Sequence, residues 1–488
     1  MLEIKQTAIR IIKNPILIYL SSRYVVFGIQ FITQLVLINR LEQFYFGIWG
    51  AVLLWVGIGQ TINFGITTCS EILIVKNHDK ELEKKIVFTS IVLNSLLILF
   101  PLIVLGLTQI IQIDYIKKYD IGKLIYLLPF IIVFMHLSSL FAAIQRIKNQ
   151  YFLFVLSQSL FPLTCFAISF IGKERVLLTE LIIGYLMSYA ILTIIGVIAN
   201  RSSLNVRYFE LGIAKEIIKS GFYLFVYASG YLLIMLTTKF LISCFYMVDE
   251  FGSFVFALQL GNAAMMLINS FLSLINPKII EMMSSGNYLE IKERIRNIRE
   301  LYSTTINCTI YLMIIAGSVF IHLFFFGKTS VIALVMIMLT LLMNANACPY
   351  NTFLISQKRE KIVAKIIIYA NLINIASIFI LKVLFDVTYE YCVLGTLIAF
   401  FYYIVATVIS SEKVLSGITI LECIKIAWPL KLAIPFVVAL CISLSKISVL
   451  LFLPLILLII LNFKELLNVI KTINTLIFQP HIIELNNK

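Results

Sequence analysis

Lys239 sits inside the stretch 220–249, SGFYLFVYASGYLLIMLTTKFLISCFYMVD, a run long enough to cross a bilayer. A cation near mid-bilayer costs at least about 2.5–3.5 kcal/mol on insertion scales, so it has to face a wet, protein-lined space or a partner. Arg23 poses the same problem in the first apolar run. Neither residue has an acid nearby in its own run, and Asp249 stands only at the end of the Lys239 run. Unpaired internal cations suit an anionic substrate; the competing reading is snorkelling, since both stems reach toward headgroups. Gln30 and Gln34 continue the Arg23 face at i, i+4 spacing, with Phe27 between, and a polar stripe of this kind reads as a cavity wall. Further amides inside apolar runs, Asn94 and Asn262 among them, mostly read as interhelical hydrogen-bonding groups. Arg40 lies at the outer edge of the first hairpin, INRLEQFYFGIWG. There Trp49 reads as an interfacial anchor, and Gly47 and Gly50 permit close helix contact. The candidate binding set is Arg23, Lys239, Gln30, Gln34, Arg40, Asn94 and Asn262.

Other chemistries lack their residues. The histidines, His78, His136, His322 and His481, are not paired with carboxylates, and the cysteines are scattered singly with no CxxC. No metal site and no cofactor is expected. Glu71 and Asp249 lie near run ends rather than mid-run, which argues against a proton relay or a carboxylate-built sodium site. Acid clusters for hydrolase or transferase chemistry are absent as well. No GxxxxGK[ST] occurs, which excludes an ATPase within this chain. The expectation is a protein that is not an enzyme.

The elements that must position these residues are membrane spans. The chain is 61% hydrophobic and 13% charged with mean hydropathy +1.00, whereas soluble domains are roughly 45–50% apolar and about 25% charged. Apolar runs at 15–38, 44–66, 86–109, 121–144, 151–171 and 178–198 precede a polar break at 199–219. After it come 221–248, 251–276, 302–326, 330–355, 362–384 and 389–409. A last block, 428–461, is interrupted by Lys446 and reads as two short spans hinged there. The fold expected is all-α and polytopic, with about 14 transmembrane helices. Continuous apolar runs rather than ten-residue alternation argue against a membrane barrel.

Charge tests the count. With the amino terminus inside, the outer side holds Arg40, Lys117, Lys118, Lys123, Lys173, Arg175, Lys239, Lys328, Lys382 and Lys446. Apart from Arg23, the rest of the 39 Lys and Arg fall on the inner side. That inside-positive pattern predicts both termini cytoplasmic. In the inner loop before the ninth run, Ile291, Ile295, Ile298 and Tyr302 recur at helical spacing with Lys292, Arg294, Arg296 and Arg299 on other faces. This reads either as an interfacial amphipathic helix or as a solvated linker; a second short interfacial piece is expected at 418–426. Pro349, in NANACPYN, removes one backbone hydrogen bond and is expected to kink its helix, and Pro129 and Pro162 either do the same or end a helix.

NRLEQFYFGIWGAVLLWVGIGQTINFGI resembles the opening of the polysaccharide flippases, O-antigen translocase type, of the multidrug/oligosaccharidyl-lipid/polysaccharide exporter superfamily. In that opening a short outer turn leads to a Gly-x-Trp/Tyr helix and an acidic-Gly-Leu ending; Asn63 or Phe64 stands where the acid would be. TTKFLISCFYMVDEFGSFVFALQLGN resembles the family's seventh and eighth spans, with Lys239 in the base position of an acid–base doublet and Thr238 replacing the acid. Phe254–Ala257 follows Gly252 in the expected place, and PYNTFLISQKRE resembles the end of the tenth span.

The resemblance implies a bacterial cytoplasmic-membrane protein with two six-helix lobes, 1–200 and 201–411, around a central cavity. Residues 412–488 would add two further spans and a cytoplasmic tail. It implies as substrate an undecaprenyl-pyrophosphate-linked oligosaccharide, an O-antigen or capsule repeat unit of lipopolysaccharide biosynthesis, moved from inner to outer leaflet by alternating access. Arg23 and Lys239, one per lobe, would neutralise the pyrophosphate, with amides and aromatics on the sugars. Implied partners are that lipid-linked glycan, membrane lipids, and polymerase and glycosyltransferase enzymes of the assembly pathway, with no nucleic acid. The alternatives are a small-molecule or drug antiporter of the same superfamily, which the cationic residues argue against, and a non-transporting membrane scaffold.

Overall fold

A computed structural model describes residues 15–77, 79–110, 114–284, 288–325, 327, 329–357, 359–415, 419–445 and 447–468. Among these residues the protein is all-helical. Ten helices are long and apolar enough to cross a membrane, or eleven if one bent pair counts as a span, and 232–245 and 449–461 are shorter apolar helices. The chain packs into two compact units, Met1–Gln259 and Leu260–Lys488.

The first unit opens with α1 (Pro15–Arg40), α2 (Gln43–Thr61), α3 (Ile66–Lys76), α4 (Lys80–Leu96), α5 (Leu99–Ile110) and the short α6 (Asp114–Lys118). It continues through α7 (Leu128–Ile147), α8 (Tyr151–Ile168), α9 (Glu174–Ala199), α10 (Leu211–Phe245) and the start of α11 (Val248–Ser284). The second expected span is not one rod. It breaks after Thr61, where Asn63 Oδ1 accepts from the Gly65 amide at 2.8 Å and Phe64 and Gly65 both adopt positive φ, 47° and 73°. The side chain of Asn63 offers the backbone a local turn in place of the helix, and the left-handed pair that follows cannot continue it. Ile66, Cys69, Ile86, Val133, Leu137, Phe141, Ile213 and Ile217 form one core where α3, α4, α7 and the start of α10 meet. Around the same helix ends Arg146 pairs with Glu71, Lys148 with Glu83 at 2.8 Å and Lys85 with Glu210 at 3.1 Å. Part of the basic inner-loop charge is thus neutralised.

The second unit contains α12 (Tyr288–Phe324), α13 (Val331–Ala345), α14 (Cys348–Ser356), α15 (Glu360–Phe385), α16 (Tyr389–Leu415), α17 (Ile420–Ala427), α18 (Leu430–Leu444) and α19 (Leu453–Leu461). Every residue of α13 from Ala333 to Met343 is buried. A helix apolar all round belongs inside a bundle, and in a membrane protein close packing, not escape from water, holds it there. The amphipathic stretch at 291–302 is neither a separate interfacial helix nor a solvated linker: it runs without interruption into the ninth span as α12. Ile291 and Ile295 are 2% exposed, so the apolar face is covered by protein.

The short piece expected at 418–426 forms a helix, α17, at 65° to α18. Thr419 and Glu422 close a capping box at its start. In the final block α18 ends at Leu444 and α19 begins at Leu453, with Lys446 itself outside the described residues. The two helices are stitched at their other ends, where the Lys431 ammonium donates to Glu465 and Asn462 Nδ2 donates to the Lys431 carbonyl at 3.0 Å. Burial pushes the Glu465 carboxyl up, but the Lys431 hydrogen bond, with a backbone donor and the charges of Lys431 and Lys464, holds it below its ordinary 4.5. A depressed carboxyl contributes stability above its unfolded value that is lost as pH falls through the folded one. Glu465→Gln is therefore expected to lower the melting temperature at pH 7 and to melt with wild type once the pH is well below 4.5. A gap that persists in acid assigns the stitch to packing instead.

Candidate functional site

The polar stripe of α1 exists. Arg23, Gln30 and Gln34 are all half-buried, and the Arg23 guanidinium carbon lies 5.3 Å from the centre of the Phe27 ring one turn on. The Gln34 Oε1 is buried without a hydrogen-bond partner among the described residues. Arg40, at the far end of the same helix, is committed elsewhere: its Nη1 donates to the Phe170 carbonyl at 2.9 Å, and its guanidinium lies 5.9 Å from the centre of that ring. Phe170 follows the last turn of α8, so a cation there meets the negative end of a helix and seats α1 along α8.

Lys239 is half-buried on α10, six residues before the helix ends at Phe245. That places it about 9 Å along the axis from the end. No hydrogen bond or ion pair engages its ammonium among the described residues. Thr238 beside it is buried and its hydroxyl donates to Ile234 O at 3.0 Å. Arg23 and Lys239 both belong to the first compact unit.

The end of α10 is held by residues that sequence reasoning missed. Lys118, from α6, donates to the Ser243 carbonyl at 2.8 Å and to the Tyr246 carbonyl, capping carbonyls the helix leaves open. Tyr119, fully buried, donates to the same Ser243 carbonyl at 2.9 Å, and Tyr115 shares a 2.8 Å hydrogen bond with the Ser243 hydroxyl. Trp55 Nε1 donates to Tyr115 at 3.1 Å. Burial pushes the Tyr115 phenol up to about 12, so it stays protonated at neutral pH. Trp55, Tyr115, Tyr119, Phe240 and Phe251 pack edge to face around this clamp. The only sequence signal was a pair of tyrosines flanking Lys118 in an outer loop.

Asn94 is fully buried within the first unit: Nδ2 donates to Ser90 O at 2.9 Å and Oδ1 has no partner among the described residues. One turn earlier the Ser70 and Ser90 hydroxyls meet at 2.6 Å, forming a polar seam between α3 and α4. Asn262 is exposed on α11 and belongs to the second unit. The structure therefore brings Arg23, Gln30 and Gln34 together on one helix face. Arg40 stands at the end of the same helix, Asn94 on α4 and Lys239 on α10. Of the prolines, Pro349 occupies the first turn of α14 behind the interruption at Asn346 and Ala347, Pro129 the first turn of α7, and Pro162 the interior of α8.

Trp49 is not an interfacial anchor. It is 1% exposed, its ring centre 6.2 Å from that of Tyr185. Its glycine neighbours serve another face of α2. A Cβ on Gly47 would run into the Val248 carbonyl oxygen, one on Gly50 would lie 2.8 Å from Val255, and one on Gly252 would lie 2.8 Å from Gln43 O. These glycines let the start of α11 pack directly on the backbone of α2. At the other end a Cβ on Gly65 would strike the Gly221 carbonyl oxygen.

No protein-family profile matches the sequence, and no curated protein does. Among solved structures the fold is similar to that of "Lipid II flippase MurJ, inward closed conformation", with a TM-score of 0.57 over 96% of this chain and 100% of that one, at 13% identity. The chain thus has the all-helical, polytopic membrane fold seen in a lipid II flippase.

Proposed function

We propose that this protein is a membrane transporter that moves an undecaprenyl-pyrophosphate-linked oligosaccharide, an O-antigen or capsule repeat unit, from the inner to the outer leaflet by alternating access. The observation that carries the reading is the fold shared with a lipid II flippase along nearly the whole chain. The half-buried cations of α1 and α10 support it, because a pyrophosphate is an anion that such groups can take from headgroup to headgroup in a low-dielectric path. In this reading Arg23 and Lys239 hold the pyrophosphate, and Gln30 and Gln34 contact the sugar-proximal oxygens. Arg40, Asn94 and Asn262 fill supporting positions, Pro349 and Pro129 stand at hinges where helices begin, and Pro162 is a bending point within α8. The six-span blocks 1–200 and 201–411 and the terminal portion 412–488 are its functional divisions. The protein resides in the bacterial cytoplasmic membrane with both termini inside, beside the polymerase and glycosyltransferase that use and make the substrate.

The test is a vesicle assay with a fluorescent undecaprenyl-pyrophosphate-linked oligosaccharide and an impermeant quencher. Wild type should equilibrate the label between leaflets, and Lys239→Ala should slow this about tenfold or more at matched protein levels, the scale of a lost charge-assisted hydrogen bond. Wild type without flipping overturns the function. Unchanged flipping in Lys239→Ala overturns only the role given to that lysine.

A further inference from the structure

A cavity of about 530 Å³ lies within the second unit, at the foot of α12, α18 and α19 and beside α17. Its charged lining residues are Lys292, Arg296, Arg299 and Lys431 against Glu300, Glu412 and Glu465. Two of the cations are already matched, Lys292 with buried Glu412 at 3.7 Å and Lys431 with Glu465. Arg296, Arg299 and Glu300 remain, which leaves one positive charge.

Donors are left over as well. Arg299 spends one nitrogen on the Ala427 carbonyl at 2.9 Å, closing the end of α17, and its guanidinium carbon lies 5.5 Å from the centre of the Tyr350 ring. Its Nε is buried and has no hydrogen-bond partner among the described residues. Ser303, one helical turn along α12 and 2% exposed, lines the same cavity with its hydroxyl likewise unpartnered. Most Ser and Thr hydroxyls buried in these helices bond back to the preceding turn, as Thr340 does to Met336 O. Buried polar groups left unsatisfied in native structures call for a partner. Arg299 Nε can only donate, so the partner must accept. Two donors one turn apart beside a single excess positive charge call for an acceptor-rich monoanion.

We infer that this cavity binds a singly charged phosphodiester group, taking its non-bridging oxygens on Arg299 Nε and Ser303 Oγ with Arg296 at the mouth. Phosphodiesters occur both as lipid headgroups and in soluble molecules. The flanking helix α17 is amphipathic, and a neighbouring lipid can present its headgroup here without leaving the bilayer. The site involves neither Arg23 nor Lys239 and does not depend on what the chain transports.

Native mass spectrometry of the full chain released from nanodiscs tests it. In mixed phosphatidylglycerol and phosphatidylcholine, wild type should retain one phosphatidylglycerol under conditions that strip phosphatidylcholine. Ser303→Ala and Arg296→Gln, neither of which removes a contact that holds the helices, should each weaken retention about tenfold. Soluble glycerophosphoglycerol then separates the sources: displacement of the lipid assigns recognition to the phosphodiester alone, and failure to displace assigns it to the lipid headgroup with its chains. Equal retention of both lipids by wild type, or equal phosphatidylglycerol retention by wild type and both variants, overturns the site.

Discussion

Alanine at Gly47 or Gly65 is expected to cost the fold, while alanine at Gly28 or Gly106 leaves it intact. The four positions are chemically the same change, so the contrast isolates what the new methyl group meets. At Gly28 and Gly106 nothing lies within 4 Å of an added Cβ, and the substitution even gains helix propensity, up to about 1 kcal/mol. At Gly47 the obstacle is the Val248 carbonyl oxygen, and at Gly65 the Gly221 carbonyl oxygen. Backbone atoms cannot rotate aside as a side chain can. Gly65 also sits at φ 73°, where a side chain costs about 1–2 kcal/mol by itself. Each change should therefore remove about 3 kcal/mol or more, the upper end of overpacking, by prising α10 and α11 off α2. Thermal melting of detergent-solubilised protein reads the result. A melting point for Gly47→Ala within about 2 °C of Gly28→Ala would mean that the close approach contributes little.

Lys118→Met should loosen the clamp on α10, at a cost of about 2–3 kcal/mol. The methionine fills the stem's volume but leaves the Ser243 and Tyr246 carbonyls without the ammonium that satisfies them. An unmet buried acceptor costs most of its desolvation, which is the asymmetry that makes hydrogen bonds expensive to break. Tyr119 still reaches Ser243, so the loss stays short of complete. The effect should also be local. Amide exchange should accelerate in the last turn of α10 and the first of α11, and remain unchanged around the α3, α4 and α7 core. Lys118→Arg, which keeps a donor, should recover part of the protection. Protection equal to wild type in Lys118→Met would remove this lysine from the account of how the helix ends.

Local chemistry was legible in the sequence and long-range geometry was not. Gly47 and Gly50 were read as close-contact residues because a missing side chain announces what it permits. Trp49, two residues on, was misplaced because its burial involves Tyr185 of α9, more than 130 residues away. The short helix expected at 418–426 forms at Ile420–Ala427, and the structure adds the capping box of Thr419 and Glu422 that starts it. The break at Phe64 and Gly65 was hidden inside an apolar run, since hydropathy does not record φ. On the candidate site, the Arg23–Gln30–Gln34 stripe is a matter of helical period and could be read directly. The Phe170 carbonyl that occupies Arg40 and the clamp around Lys118 could not, because each joins residues more than 120 positions apart. His136 shows the same limit: it is buried with Nε2 at 3.1 Å from Gly59 O, a helix-end partner with no signature in the sequence.

The uninterrupted length of α12 has a mechanical consequence. Thirty-seven residues make a rod about 55 Å long, nearly twice the roughly 30 Å thickness of a hydrocarbon core. The Arg299 and Ser303 donors lie in its first half, about 16 and 22 Å along the axis from Tyr288, and the far end reaches Phe324. A rod this long converts angle into travel: pivoting about one end by about 10° sweeps the other through roughly 10 Å. Whatever fixes the basic foot of this helix also sets the lateral position of its far tip, without any wire of side chains between them.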